Sequence, residues 1–101
     1  MPADSFLPFV LEQLAGLPEL RSKRMFGGYG LYSGAAFFGI VFDGRLYFKT
    51  HPETLAEYLK HHAEVFAPSP KQALQNYREV PAEILEDVDS LQVWARAAAR
   101  P

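Results

Sequence analysis

The chain has 101 residues, of which 49% are hydrophobic, 14% aromatic and 22% charged, enough for one domain with a single core and no room for a second. The absence of cysteine excludes disulfides, thiolate metal sites and cysteine nucleophiles, and makes a reducing cytoplasm the expected compartment. Net charge is −2, with five Lys/Arg against four Asp/Glu in residues 1–50 and five against eight in residues 51–101, so only a local basic cluster is available to neutralise phosphates.

No run of 18 apolar residues occurs, and Met1-Pro2-Ala3-Asp4 lacks the cationic start of an export signal, so neither a membrane span nor secretion is expected. Ser5 is placed to cap a first helix. Phe6, Phe9, Val10, Leu14 and Leu17 then lay an apolar stripe along it. Pro8 is expected in its first turn, where a missing amide hydrogen costs little, and Gly16 and Pro18 bracket its end.

From Arg24 to Thr50 the pattern changes to strands: Met25-Phe26, Leu31-Tyr32, Phe37 to Phe42 and Leu46 to Phe48, separated by glycine-bearing breaks. Asp43-Gly44 is the strongest turn signal, because a type I′ hairpin needs positive φ at both central residues; Ser33-Gly34 supplies the turn before it. Gly27, Gly28 and Gly30 fall within the first strand region and read as a kinked strand with close backbone packing. A phosphate cradle is the competing reading, but the chain has neither the third spaced glycine of a dinucleotide fingerprint nor a Gly-Lys-Ser/Thr.

Strict alternation puts Arg45, Tyr47 and Lys49 on a wet face of one strand, with Leu46, Phe48 and Thr50 behind. In the preceding strand it puts Phe38, Ile40 and Phe42 on one side and Phe37, Gly39 and Val41 on the other. Both sides are apolar, so cover is needed beyond the helices, and a second copy of the chain is one candidate for it.

Thr50-His51-Pro52-Glu53 reads as a capping box opening a helix, whose narrow face is Leu55, Leu59, His62 and Phe66, with Ala67-Pro68-Ser69-Pro70 as its end. Gln75 to Val80 suits a short strand. Pro81 suits the first position of a helical turn reaching Glu86, and Asp89-Ser90-Leu91-Gln92 a cap for a last helix that turns Leu91, Trp94, Ala95 and Ala98 inward. The fold class is α+β, an antiparallel β-sheet meander packed by helices, in the order helix, three or four strands, helix, one or two strands, helix.

The chemistry-bearing residues point to binding rather than catalysis. Arg21, Lys23, Arg24, Arg45 and Lys49, interleaved with Tyr29, Tyr32 and Tyr47, would hold phosphates and stack bases if the strands align; the plainer reading is a solvated sheet face whose cations discourage edge pairing. His61 and His62 point about 100° apart on a helix, so with Glu57 and Glu64 they suit surface positions, His61 exposed and His62 half-buried, better than a zinc site. The serines read as caps, turn and loop residues, with no Ser/His/Asp set. Trp94 fits the core stripe better than an exposed anchor, and the acidic string Glu79, Glu83, Glu86, Asp87 and Asp89 a solvated, helix-starting stretch. No catalytic, cofactor or metal residues are expected.

The run Lys23-Arg24-Met25-Phe26-Gly27-Gly28-Tyr29-Gly30-Leu31-Tyr32 resembles the signature segment of the TfoX (Sxy) N-terminal domain family of bacterial competence regulators. Further segments agree in order: Phe38 to Val41, Asp43-Gly44 to Lys49, Tyr77-Arg78-Glu79-Val80-Pro81, and Trp94-Ala95-Arg96. The resemblance spans about residues 5–100 and implies an antiparallel sheet packed by helices, in one domain over residues 1–101. Full-length members look like transcriptional co-activators that work with the cyclic-AMP receptor protein and carry a second, helical domain at the C-terminus, which this chain is expected to lack. The implied role is a non-enzymatic regulatory domain that contacts a protein partner, with direct nucleic-acid binding as the alternative and homodimers compatible with both. The candidate contact surface is Arg24, Tyr29, Phe37, Val41, Arg45, Tyr47 and Lys49.

Overall fold

The computed structural model describes residues 2–25 and 27–100, with the side chains of residues 2–4 left aside. The chain runs α1 (Pro2–Gln13), β1 (Leu20–Met25), β2 (Gly28–Ser33), β3 (Ala36–Phe42), β4 (Arg45–Lys49), α2 (Pro52–Lys60), β5 (Val65–Ser69), β6 (Gln72–Glu79), α3 (Ala82–Leu85) and α4 (Val88–Ala98). The strands form one antiparallel sheet in the order β1-β2-β3-β4-β6-β5. The fold is therefore α+β, a four-strand meander extended by a hairpin that returns after α2 and pairs through β6.

Turn chemistry sets the meander. Asp43 (φ 53°) and Gly44 (φ 71°) both hold positive φ between β3 and β4, as the I′ reading requires. Gly27 (φ 79°) stands in the β1–β2 connection, beside Phe26, which belongs to the expected signature but lies outside the described residues. A Cβ on Gly28 would collide with the main-chain carbonyl oxygen of Val41, so the β2–β3 approach at this point admits only glycine.

Helices cover one face of the sheet. Val10, Leu14 and Leu17 from the α1 region, Tyr58 from α2, and Leu91, Ala95 and Ala98 from α4 pack with Leu31, Phe38, Val41, Leu46 and Phe48 from the strands. Ile84 and Leu85 of α3 and the half-buried Trp94 border that core. Ile40, Tyr47, Phe66 and Tyr77 form a second buried cluster, with Phe37, Phe42 and Leu74 packed against it.

Several elements differ from the sequence-based expectations. α1 starts at Pro2, upstream of Ser5, and Pro8 stands in its interior, where it costs one intrahelical hydrogen bond. β1 begins at Leu20, because polar residues pair along a sheet edge where only alternate positions meet the core. Strict alternation fails in β3: Leu31 faces Gly39 and Tyr32 faces Phe37, which leaves Phe38 as an inserted residue. This bulge sends Phe38 and Val41 to the helix side and Phe37, Ile40 and Phe42 to the other.

α2 ends at Lys60 rather than near Phe66. His62 takes φ 58°, its N–H donates to the Leu59 carbonyl at 3.0 Å and the Ala63 N–H to that of Tyr58 at 3.0 Å; this is a Schellman stop with histidine in the place glycine usually fills. His62 is thereby exposed and His61 half-buried, the reverse of the expectation, and Phe66 enters a strand. The expected capping box is shifted: the Thr54 hydroxyl accepts from the His51 N–H at 2.9 Å, while the Thr50 hydroxyl donates to the Asn76 carbonyl across the sheet at 3.1 Å. Pro81 precedes α3 as its N-cap. The cap of α4 is Asp87, two residues before the expected Asp89, its carboxylate accepting from the Ser90 N–H at 3.4 Å and hydroxyl at 3.0 Å.

Candidate interaction surface

The sheet face turned away from the helices is built by alternate residues of each strand. Cross-strand pairing places Arg21 opposite Tyr32 and Lys23 opposite Gly30, Tyr32 opposite Phe37, Ile40 opposite Tyr47 and Phe42 opposite Arg45, and Tyr47 opposite Glu79 and Lys49 opposite Tyr77. No described helix residue packs on this face.

Its centre is a chain of aromatic contacts. Tyr32 stacks on Phe37 with ring centres 5.2 Å apart, Phe37 lies 5.4 Å from Tyr77, and Phe66 meets Phe42 at 5.4 Å and Tyr47 at 4.9 Å, edge to face. Such arrangements add to the gain from area burial. The Tyr77 hydroxyl donates to the Phe37 carbonyl at 3.3 Å. Burial pushes the Tyr77 phenol up to about 12, with Tyr32 adding to it; burial first, then the Glu79 carboxylate, raises that of Tyr47 while Arg45 opposes them.

Cations ring this centre. Arg21 lies over the Tyr32 ring at 4.7 Å and donates to the Gly34 carbonyl at 3.3 Å; Arg45 pairs with Glu79 at 3.2 Å. The Glu79 carboxylate is the main cause raising the Arg45 guanidinium above its ordinary value. Lys23 is exposed and Lys49 half-buried.

The seven residues expected to form one surface are divided by the sheet. Phe37, Arg45, Tyr47 and Lys49 belong to the helix-free face, but Tyr47 is 8% exposed because β5 carries Phe66 onto it, so it supports the face rather than presenting it. The expectation of a wet face on β4 is corrected accordingly. Val41, 5% exposed, points to the helix-side core because the β3 bulge reverses it relative to Phe37. Arg24 lies 6.0 Å over the Tyr29 ring, and Tyr29 borders the helix-side core. These two residues and Val41 line a separate hollow of about 350 Å³ at the hairpin tips, with Gly27, Gly28, Asp43 and Gly44.

Three contributors to the helix-free face are missing from the expected surface. Helical spacing places Phe66 on α2, and the short strand expected over Gln75 to Val80 is present as β6 but gives no sign that Tyr77 and Glu79 join this face. For Phe66 the signal available is Val65-Phe66-Ala67-Pro68, a β-favouring run ending at proline, which suits an edge strand. Of the other candidates, Glu57 pairs with Lys60 at 3.7 Å and His61 approaches Glu83 at 3.8 Å. Among the described residues no three His, Asp or Glu side chains converge on a metal position.

No curated protein matches this chain. A family model, the TfoX N-terminal domain, does match, over residues 12–100. Over residues 12–100 the chain belongs to the TfoX N-terminal domain family.

Proposed function

We propose that this domain is a non-enzymatic regulatory module that contacts a protein partner through the helix-free sheet face. The observation carrying this reading is the half-exposed aromatic rim of Tyr32, Phe37 and Phe42, bordered by Arg21, Lys23 and Lys49 on the same face of the sheet. Aromatic and arginine side chains dominate protein contact energies, and a basic border suits an acidic partner patch. The family's association with the cyclic-AMP receptor protein makes that transcription factor the first partner to test. Calorimetric titration of the receptor protein with this domain should give saturable binding that Arg21→Glu with Lys23→Glu weakens; unchanged affinity in the variant overturns the assignment of the face.

Direct nucleic-acid binding is the second reading, favoured by the Arg21–Tyr32 and Arg24–Tyr29 pairs. Fluorescence anisotropy of labelled single- and double-stranded DNA at roughly 50 and 200 mM salt separates the two. The protein-contact reading predicts no saturable binding at either concentration, and salt-sensitive binding lost in the same double variant would replace it.

A further inference from the structure

A second surface lies on the opposite side of the molecule. α2 and α4 run antiparallel: Arg100, just past the end of α4, meets Glu53 near the start of α2 at 3.3 Å, while Trp94 in mid-α4 packs at a tilt against Tyr58, ring centres 4.7 Å apart, and meets His61 edge to face at 6.1 Å. Between them is a largely apolar groove of about 200 Å³, floored by Tyr58, Val93, Trp94 and Ala97 and rimmed by Glu53 and Glu57. Val93, 66% exposed, and Trp94 continue into an adjoining hollow that ends at Asp89.

Three features define what this groove accepts. It falls below the range of small-molecule sites, roughly 300–1,000 Å³, and suits an anchor side chain of a larger partner. A trough between two antiparallel helices receives the apolar stripe of a third helix, which presents anchors at i, i+3 and i+4. Glu53 and Glu57 make the α2 rim acidic and Asp89 closes the adjoining hollow, and the cations near them, Lys60 and Arg100, are held only in exposed pairs with Glu57 and Glu53, a type of pair worth little and readily exchanged.

We infer that the α2–α4 groove docks a cationic amphipathic helix of a partner protein, with an apolar anchor seated against Val93 and Trp94 and lysine or arginine side chains meeting Glu53, Glu57 and Asp89. This interaction is independent of the sheet-face reading and uses other residues.

The chain's single tryptophan lies in the groove and reports on it directly. The test titrates the full chain with a synthetic tryptophan-free helix carrying leucine at i, i+3, i+4 and i+7 and lysine elsewhere, and with its glutamate counterpart, while following tryptophan emission. A saturable shift with the lysine peptide, absent with the glutamate peptide, is expected. Val93→Asp should abolish it, and Glu57→Lys should weaken it by roughly tenfold at low salt; both replace exposed side chains, and an unchanged melting temperature verifies their folding. No shift, or a shift that both variants retain, overturns the inference. An emission change that depends on protein concentration without peptide assigns the groove to a second copy and overturns it as well.

Discussion

Two glycines test how closely the hairpins are packed. At Gly28 an added methyl meets the Val41 carbonyl oxygen and comes within 3.2 Å of the Phe42 Cα, both main-chain atoms of a central strand, whereas at Gly44 it meets nothing within 4 Å. Gly28→Ala therefore forces the β2–β3 backbones apart and should cost about 3 kcal/mol. Gly44→Ala carries only the left-handed strain at φ 71°, about 1 kcal/mol. Chemical denaturation of the two variants checks the order. Tyr77 makes a second prediction at this scale: its phenol ionises near the ordinary value of 10.0 when unfolded and about 12 when folded. Its contribution to stability is complete below pH 10 and is lost as pH rises from 10 toward 12. Tyr77→Phe should flatten the fall in melting temperature across that window, read by circular dichroism.

Element boundaries show where sequence patterning stops being informative. The Asp43-Gly44 turn, the inward Val10, Leu14 and Leu17 of the first helical region and the inward Leu91, Ala95 and Ala98 of α4 were legible because each depends on local chemistry, positive φ at the turn and helical periodicity along the helices. Phe9 of the expected stripe is nevertheless 38% exposed, and Leu14 and Leu17 lie just past the end of α1. The end of α2 was not, since Leu55, Leu59, His62 and Phe66 keep helical spacing past the true stop; Leu59 is in fact 50% exposed. Pairing with β6 claims Val65 and Phe66 for a strand, and His62 absorbs the left-handed geometry. Glycine fits that position better, so His62→Gly should raise stability by about 0.5–1 kcal/mol, the relief of left-handed strain being partly offset by the freer unfolded chain. Thermal unfolding measures it. The β3 bulge was equally hidden, because Phe37 to Phe42 is apolar on both sides and alternation has no polar residue to mark the slip. That slip divided the candidate surface, sending Val41 to one side of the sheet and Phe37 to the other.

At the scale of the whole molecule, charge follows architecture. The six strands carry six Lys/Arg and one carboxylate, Glu79, whereas the four helices carry two Lys/Arg and six Asp/Glu. The net charge of −2 conceals this segregation, which is why composition suggested only a weak basic cluster. Helices pack on one face of the sheet, so Arg21, Lys23, Arg45 and Lys49 border the aromatic rim, while Glu53 and Glu57 line the α2–α4 groove and Asp89 its adjoining hollow. The Arg21→Glu/Lys23→Glu variant reverses the basic side at exposed positions of an edge strand and should leave folding within about 0.5–1 kcal/mol of wild type.

The most direct measurement is an amide chemical-shift map of the isotope-labelled domain during titration with the cyclic-AMP receptor protein. Shifts gathered at Arg21, Lys23, Tyr32, Phe37 and Lys49, and lost in the double variant, are the result predicted. Binding whose shifts lie elsewhere, or that survives the charge reversal, would contradict the claim that the helix-free sheet face is the contact surface.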